Sequence, residues 1–178
     1  MDRRQVARKG FAVATLFLCG SSVVFASLNA GELGTAPTVS KTFTPARIAP
    51  NGVSLVTITL SNPTDATATL TTELDDQLPS PMVIGGGAGM TTCAGGNVSA
   101  IGGFAIFALS LGAQIPANGS CTVTVCVTTD TADSYTNTIP SGALQTDAGN
   151  NADSASADIE VTGDVIFADA FDGGCVPS

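Results

Sequence analysis

Histidine is absent from all 178 residues, and so is tryptophan. Without an imidazole there is no Ser-His-Asp or Cys-His relay and no ordinary zinc-enzyme ligand set. Sandwich enzymes that hold copper and zinc through imidazoles are excluded on the same ground. Asp75 and Asp76 form an acid pair of the kind a glycosidase needs. Adjacent carboxylates in a strand point to opposite faces, however, which is poor geometry for shared chemistry. These residues therefore read as a non-catalytic protein without a cofactor. A set of oxygen donors at roughly alternate positions is better spaced for calcium: Asp147, Asn151 and Asp153, with Asp158 further on. An EF-hand loop would want Gly at its sixth position and a bidentate Glu at its twelfth, where Ala152 and Asp158 stand. A solvated turn of Asn and Asp is the competing reading, and the better one.

Thiols complete the reactive inventory. Cys93, Cys121, Cys126 and Cys175 follow a first cysteine, Cys19, and the four allow three pairings. Their chemistry depends on compartment, and the charge distribution addresses that. Of the 6 Lys and Arg residues, Arg3, Arg4, Arg8 and Lys9 crowd the amino end. The apolar run Phe11 to Leu18 follows, continuing through Val23-Val24-Phe25 to the small residue Ala26. A basic segment, an apolar segment and a small-residue cleavage site describe a secretory signal peptide over residues 1–26, with Ala30 as a later cleavage point. An uncleaved anchor is the alternative, but Gly20, Ser21 and Ser22 interrupt the run that spanning would need. Leu18 before Cys19 is not the small residue that a lipoprotein signal requires. In an oxidising compartment, disulfides are favoured over metal ligands or reactive thiols.

Cleavage after Ala26 removes Asp2 and four of the cations. It leaves 14 acids against Lys41 and Arg47, a net charge of −12. Such a chain repels phosphate backbones and anionic lipid, so nucleic acid is excluded as a partner, and no membrane span is expected after cleavage.

The elements that must position these residues are strands. Only 12% of residues are charged, and Thr, Ser, Ala and Val fill the gap. From Cys121 to Thr128, Val123, Val125 and Val127 alternate with Thr122, Thr124 and Thr128, which indicates a strand with one face in a core and one wet. Cys121 shares the inward parity, and Cys126 has the outward one. Residues 31–37 read as a linker, Thr38–Thr44 as a first strand stopped by Pro45, and Ala49-Pro50-Asn51-Gly52 as a turn. Val53 to Leu60 places Val56, Ile58 and Leu60 on one face. Ala68 to Leu78 reads as one strand with Ala68, Leu70, Leu74 and Leu78 inward. Met82 to Ile84 is a short strand, and Gly85-Gly86-Gly87 opens a flexible loop carrying Cys93. Phe104 to Leu111 is apolar at both parities, so it is buried on both faces or part of an exposed contact patch. Ser134 to Ile139 and Ala155 to Thr162 close the domain. About seven or more short strands separated by turn signals predict an all-β, Ig-like antiparallel β-sandwich over residues 38–162, with a closed barrel as the alternative, and a tail over 163–178.

Several ordered motifs are similar to a known family. Ser40-Lys41-Thr42-Phe43-Thr44-Pro45-Ala46-Arg47-Ile48-Ala49-Pro50-Asn51-Gly52, followed by Leu55 to Pro63, resembles the opening of bacterial Ig-like surface repeats, catalogued as domains of unknown function in secreted and cell-wall proteins. Asp75-Asp76-Gln77-Leu78-Pro79, Ser120-Cys121-Thr122-Val123 and Tyr135 to Leu144 resemble later steps of the same pattern. The resemblance spans roughly residues 36–162. It implies a spacer or adhesive module with no catalytic residues to carry over, although members usually occur in tandem and this chain shows one copy. Because members often carry Cys at both places, it also implies a Cys93–Cys121 disulfide, which leaves Cys126 and Cys175 to each other. The tail Asp164 to Gly174 resembles the Ile-Phe-x-Asp-Gly-Phe-Glu ends of certain secreted Gram-negative proteins, with Ala170 and Asp172 departing from it.

The expectation is an exported, non-catalytic structural or adhesive module, secreted, periplasmic or on the cell surface, with a protein or glycan partner that the sequence does not name. The alternative is a calcium- or carbohydrate-binding module on the same fold. A fibre subunit completed by a partner's strand is a third reading, which a full strand set disfavours.

Overall fold

A run of alternating β-branched residues resists helix formation, because each loses side-chain freedom against the preceding turn. The two longest such runs lie side by side at the centre of this molecule. The computed structural model describes residues 36–163. In chain order its strands are β1 (Thr38–Thr44), β2 (Arg47–Ile48), β3 (Val53–Asn62), β4 (Ala68–Thr69) and β5 (Leu74–Gln77). Next come β6 (Val83–Ile84), β7 (Met90–Thr91), β8 (Val98–Ala100), β9 (Ile106–Leu109) and β10 (Gln114–Ile115). The last five are β11 (Gly119–Thr128), β12 (Asp133–Ile139), β13 (Gln145–Thr146), β14 (Gly149–Asn150) and β15 (Ala155–Val161). No helix occurs among the described residues.

One sheet runs β1-β3-β11, with the short strands β6 and β7 both pairing along the far side of β11. The strands packed against it form two three-stranded sheets, β12-β15-β2 and β5-β9-β8, and two separate pairs, β4-β10 and β13-β14. Every pairing is antiparallel except β15 with β2, which is parallel. The result is an all-β sandwich, as the alternation predicts.

Register aligns the inward side chains into rows. Phe43, Val56 and Val125 share one row, Lys41, Ile58 and Val123 the next, and Val39, Leu60 and Cys121 the third. Val56, Ile58, Leu60, Val123 and Val125 are buried at 1% exposure or less. Each contributes about 1.5 to 3 kcal/mol by leaving water. The opposing layer supplies Leu74, Phe107, Leu109, Ile139 and Ile159. Two Asn-Gly turns hold the strand ends in place. Asn51 (φ 65°) and Asn118 (φ 48°) both adopt the left-handed conformation that Asn tolerates better than most residues.

Four local expectations change. The stretch from Ala68 to Leu78 is two strands, because β4 pairs with β10 while β5 pairs with β9. The segment after Gly85-Gly86-Gly87 is not a bare loop, since β7 docks on β11 and β8 docks on β9. Within the run from Phe104 to Leu111, β9 divides by parity, with Phe107 and Leu109 buried and Ile106 exposed, while Phe104 and Leu111 on either side of the strand are exposed. Cys126 takes the outward parity of β11 yet is only 3% exposed. Its backbone carbonyl accepts from the Gly85 amide at 2.8 Å, which continues the β6–β11 pairing by one residue.

Candidate functional site

Three strands break their inward apolar pattern with a single polar residue each. On β1 it is Lys41, between Val39 and Phe43. On β5 and just beyond, it is Asp76, between Leu74 and Leu78. On β12 it is Asn137, between Tyr135 and Ile139. Their cross-strand neighbours are apolar: Lys41 is opposite Ile58, Asp76 opposite Phe107 and Asn137 opposite Ala157. Strand parity therefore drives all three into the core, and they meet there.

The side chains of Lys41 and Asp76 are both fully buried, with Lys41 Nζ 2.5 Å from Asp76 Oδ2. Asn137 is 1% exposed, and its Nδ2 donates to the same Asp76 oxygen at 3.2 Å. Asp76 Oδ1 and Asn137 Oδ1 are buried without a hydrogen-bond partner among the described residues. Burial pushes the Lys41 amine below its ordinary value of 10.5, against the opposing pull of the Asp76 charge and hydrogen bond. Desolvation wins, since among the described residues Asp76 is the one acceptor for the ammonium. A buried ion pair gains little over well-packed apolar side chains, and an unpaired buried oxygen costs about 1 to 3 kcal/mol. The cluster is thus an expensive way to fill a core.

Sequence reasoning placed Asp75 and Asp76 on opposite faces, and the structure has Asp75 exposed and Asp76 buried. It did not connect Asp76 with Lys41 and Asn137. The signal was available in each strand's parity, where an even-numbered Asp falls in the same register as Leu74 and Leu78.

The calcium candidates are dispersed in their bonding. Asp147 accepts from the Thr69 amide at 2.7 Å, and Asp158 accepts from the Thr136 hydroxyl at 2.6 Å across β12 and β15. Asn151 is buried and spends its side chain on backbone. It donates to the carbonyls of Pro140 (3.0 Å) and Asp153 (2.7 Å) and accepts from the Leu144 amide (2.7 Å). Among the described residues, Asp147, Asp153 and Asp158 do not gather into a group able to hold a metal ion.

Cys93 and Cys121, the pair that the resemblance implies, are joined by a disulfide with an S–S distance of 2.04 Å. Cys126 is disulfide-bonded as well. Its expected partner Cys175 lies outside the described residues, as do the signal peptide and the tail. Elsewhere Arg47 and Glu160 form an exposed ion pair, of a kind that contributes little in water.

Residues 37–161 match a family described as a domain of unknown function, DUF7933. No curated protein matches the chain.

Proposed function

The chain belongs to the DUF7933 family of domains of unknown function, and from that premise we propose that it serves as an exported, non-catalytic Ig-like module with a structural or adhesive role at a bacterial surface or in the periplasm. The observation that carries this reading is the Cys93–Cys121 disulfide. Both cysteines are buried, at 4% and 3% exposure, and they tie the segment after β7 to the first inward residue of β11. Structural disulfides persist in oxidising compartments and are rare in the cytosol. Closing a loop of 28 residues' separation contributes about 2 to 4 kcal/mol. The amino-terminal charge asymmetry of the sequence points the same way. Tyr135 adds a fold-level argument. Its hydroxyl donates to the Thr131 carbonyl at 2.9 Å, four residues upstream, as the corner tyrosine of Ig-like sandwiches does.

Export is tested by fractionating cells that make the full chain and sequencing its amino terminus. The expected product lies outside the cytoplasm, starts near Ser27 or Gly31 and has its cysteines oxidised. A chain that still starts at Met1 in a membrane fraction supports an anchor instead, and a cytosolic product with reduced thiols overturns the proposal. Calorimetric titration with calcium gives the alternative its chance, and stoichiometric binding would favour a binding module over a spacer.

A further inference from the structure

The buried cluster of Lys41, Asp76 and Asn137 has the parts of a self-modification site. We infer that the Lys41 side-chain amine condenses with the Asn137 side-chain amide, assisted by Asp76, to form an intramolecular isopeptide bond between β1 and β12 with release of ammonia. The inference concerns the folded domain alone and does not depend on where the protein resides.

Comparison among asparagines isolates what is unusual. Three are buried among the described residues: Asn62, Asn137 and Asn151. Asn62 donates to the Ala66 carbonyl at 2.7 Å and accepts from the Thr64 amide at 3.1 Å. Asn151 is satisfied by backbone at both ends, as described above. Asn137 alone leaves its carbonyl oxygen without a partner and turns its nitrogen to a carboxyl group that is also bound to an amine. Buried polar groups are satisfied in at least nine cases of ten, so two orphaned oxygens in one cluster ask for a cause.

The chemistry supplies one. A carboxamide and a protonated carboxyl pair face to face through two hydrogen bonds, N–H to oxygen and O–H to carbonyl. The first is present, from Asn137 Nδ2 to Asp76 Oδ2. Moving one proton from Lys41 to Asp76 would provide the second and occupy both orphaned oxygens. Desolvation penalises the separated charges and lowers the basicity of Lys41, which is the direction such a transfer needs. It also leaves an uncharged amine, the nucleophilic form, in a dry site beside a polarised amide.

The steps balance without an oxidant, reductant or cofactor. The lone pair of Lys41 Nζ attacks Asn137 Cγ, and the carbonyl π pair moves onto Oδ1, which the Asp76 proton stabilises. Asp76 Oδ2, already touching both nitrogens, takes a proton from Nζ and delivers one to Nδ2. The Cγ–Nδ2 bond breaks and ammonia leaves. The net change is amine plus primary amide to secondary amide plus ammonia. In the product the new amide N–H can donate to Asp76, and its oxygen can accept from it. The core then holds neither a charge nor an orphaned oxygen. Holding the two groups side by side replaces the activation that an amide otherwise needs.

Mass spectrometry tests this on the purified full chain, reduced and denatured so that disulfides do not contribute. The expected chain is lighter than its own sequence by the mass of one ammonia. Lys41 and Arg47 are the only basic residues beyond Lys9, which makes trypsin informative. Cleavage after Lys41 should fail, and after cleavage at Arg47 the piece bearing Lys41 should remain joined to the piece bearing Asn137. A cyclised asparagine at Asn51-Gly52 or Asn118-Gly119 would also lose ammonia, but it would not join the pieces. The variant Asn137→Asp should lose water instead and converge on the wild-type product mass. The variants Asp76→Ala and Lys41→Arg should keep their full masses. Unmodified wild-type mass with separable pieces overturns the inference, as does a product lighter by one water with Lys41 joined to Asp76. The wild-type measurement decides even if a variant fails to fold.

Discussion

Two sets of strands build their inward faces by different rules. Along β3 and β11 the inward row is apolar throughout its middle, from Val56 to Leu60 and from Val123 to Val127. On β1, β5 and β12, a polar side chain interrupts that row once per strand, and the three interruptions meet. The first arrangement needs only burial to be stable. The second is costly unless its members do something that burial alone does not require. Position sharpens the contrast: in the row of Lys41, Ile58 and Val123, a cation and two aliphatic side chains occupy equivalent places.

The largest expected effect comes from making the second region obey the rule of the first. Lys41→Met, Asp76→Leu and Asn137→Leu together would replace the cluster with apolar side chains. For an uncrosslinked ion pair, such replacement is neutral or stabilising by about 1 to 4 kcal/mol. If β1 and β12 are covalently joined, the triple variant loses a closure of about 100 residues, worth roughly 4 to 5 kcal/mol by chain entropy. Thermal unfolding should then fall by roughly 10 to 20 °C for a domain of this size. A melting temperature that holds or rises returns the cluster to the status of an ordinary buried ion pair.

A smaller effect is expected within the apolar row itself. Leu60→Ala removes a fully buried side chain and should cost about 2 to 5 kcal/mol. Thr59→Ala, one residue away on the half-buried outer face, should stay within about 0.5 kcal/mol. Denaturant titration of the two variants measures the difference between the faces directly. Equal costs would mean that the outer face is packed by something beyond the described strands.

The first rule was readable from residue types and the second was not. Alternation alone gives β3, β11 and β15, and the Asn-Gly dipeptides mark turns whose asparagines do take positive φ. Pairing partners are not local, which is why Ala68 to Leu78 reads as one strand although β4 and β5 serve different sheets. Cys126 shows the same limit, since it takes the outward parity and is nevertheless only 3% exposed. The cluster stayed hidden for a related reason. Each of Lys41, Asp76 and Asn137, taken singly, is a polar residue in a strand, and only the packing of strands from three sheets makes them neighbours. Its local trace is parity: a polar residue flanked two positions away on both sides by inward apolar ones.

The smallest effect separates the amine from the amide by pH. In Asn137→Leu the bond cannot form, so Lys41 keeps a titrating amine, buried beside Asp76. Its folded-state pKa lies below the ordinary 10.5 because of desolvation. Between those two values the unfolded chain holds more protons than the folded one, so stability rises with pH through that window. Below the window the penalty for the buried charge is fully present. The slope is limited to about 1.4 kcal/mol per pH unit, the value for one proton. In the wild type an acylated Lys41 does not titrate in either state, so this component vanishes. Groups away from the cluster are common to both proteins and cancel in the difference. Chemical denaturation from neutral pH to about 10 should therefore show the variant gaining stability relative to the wild type. Parallel curves would mean that Lys41 has the same protonation in both proteins, and the distinction between the two core regions would then rest on packing alone.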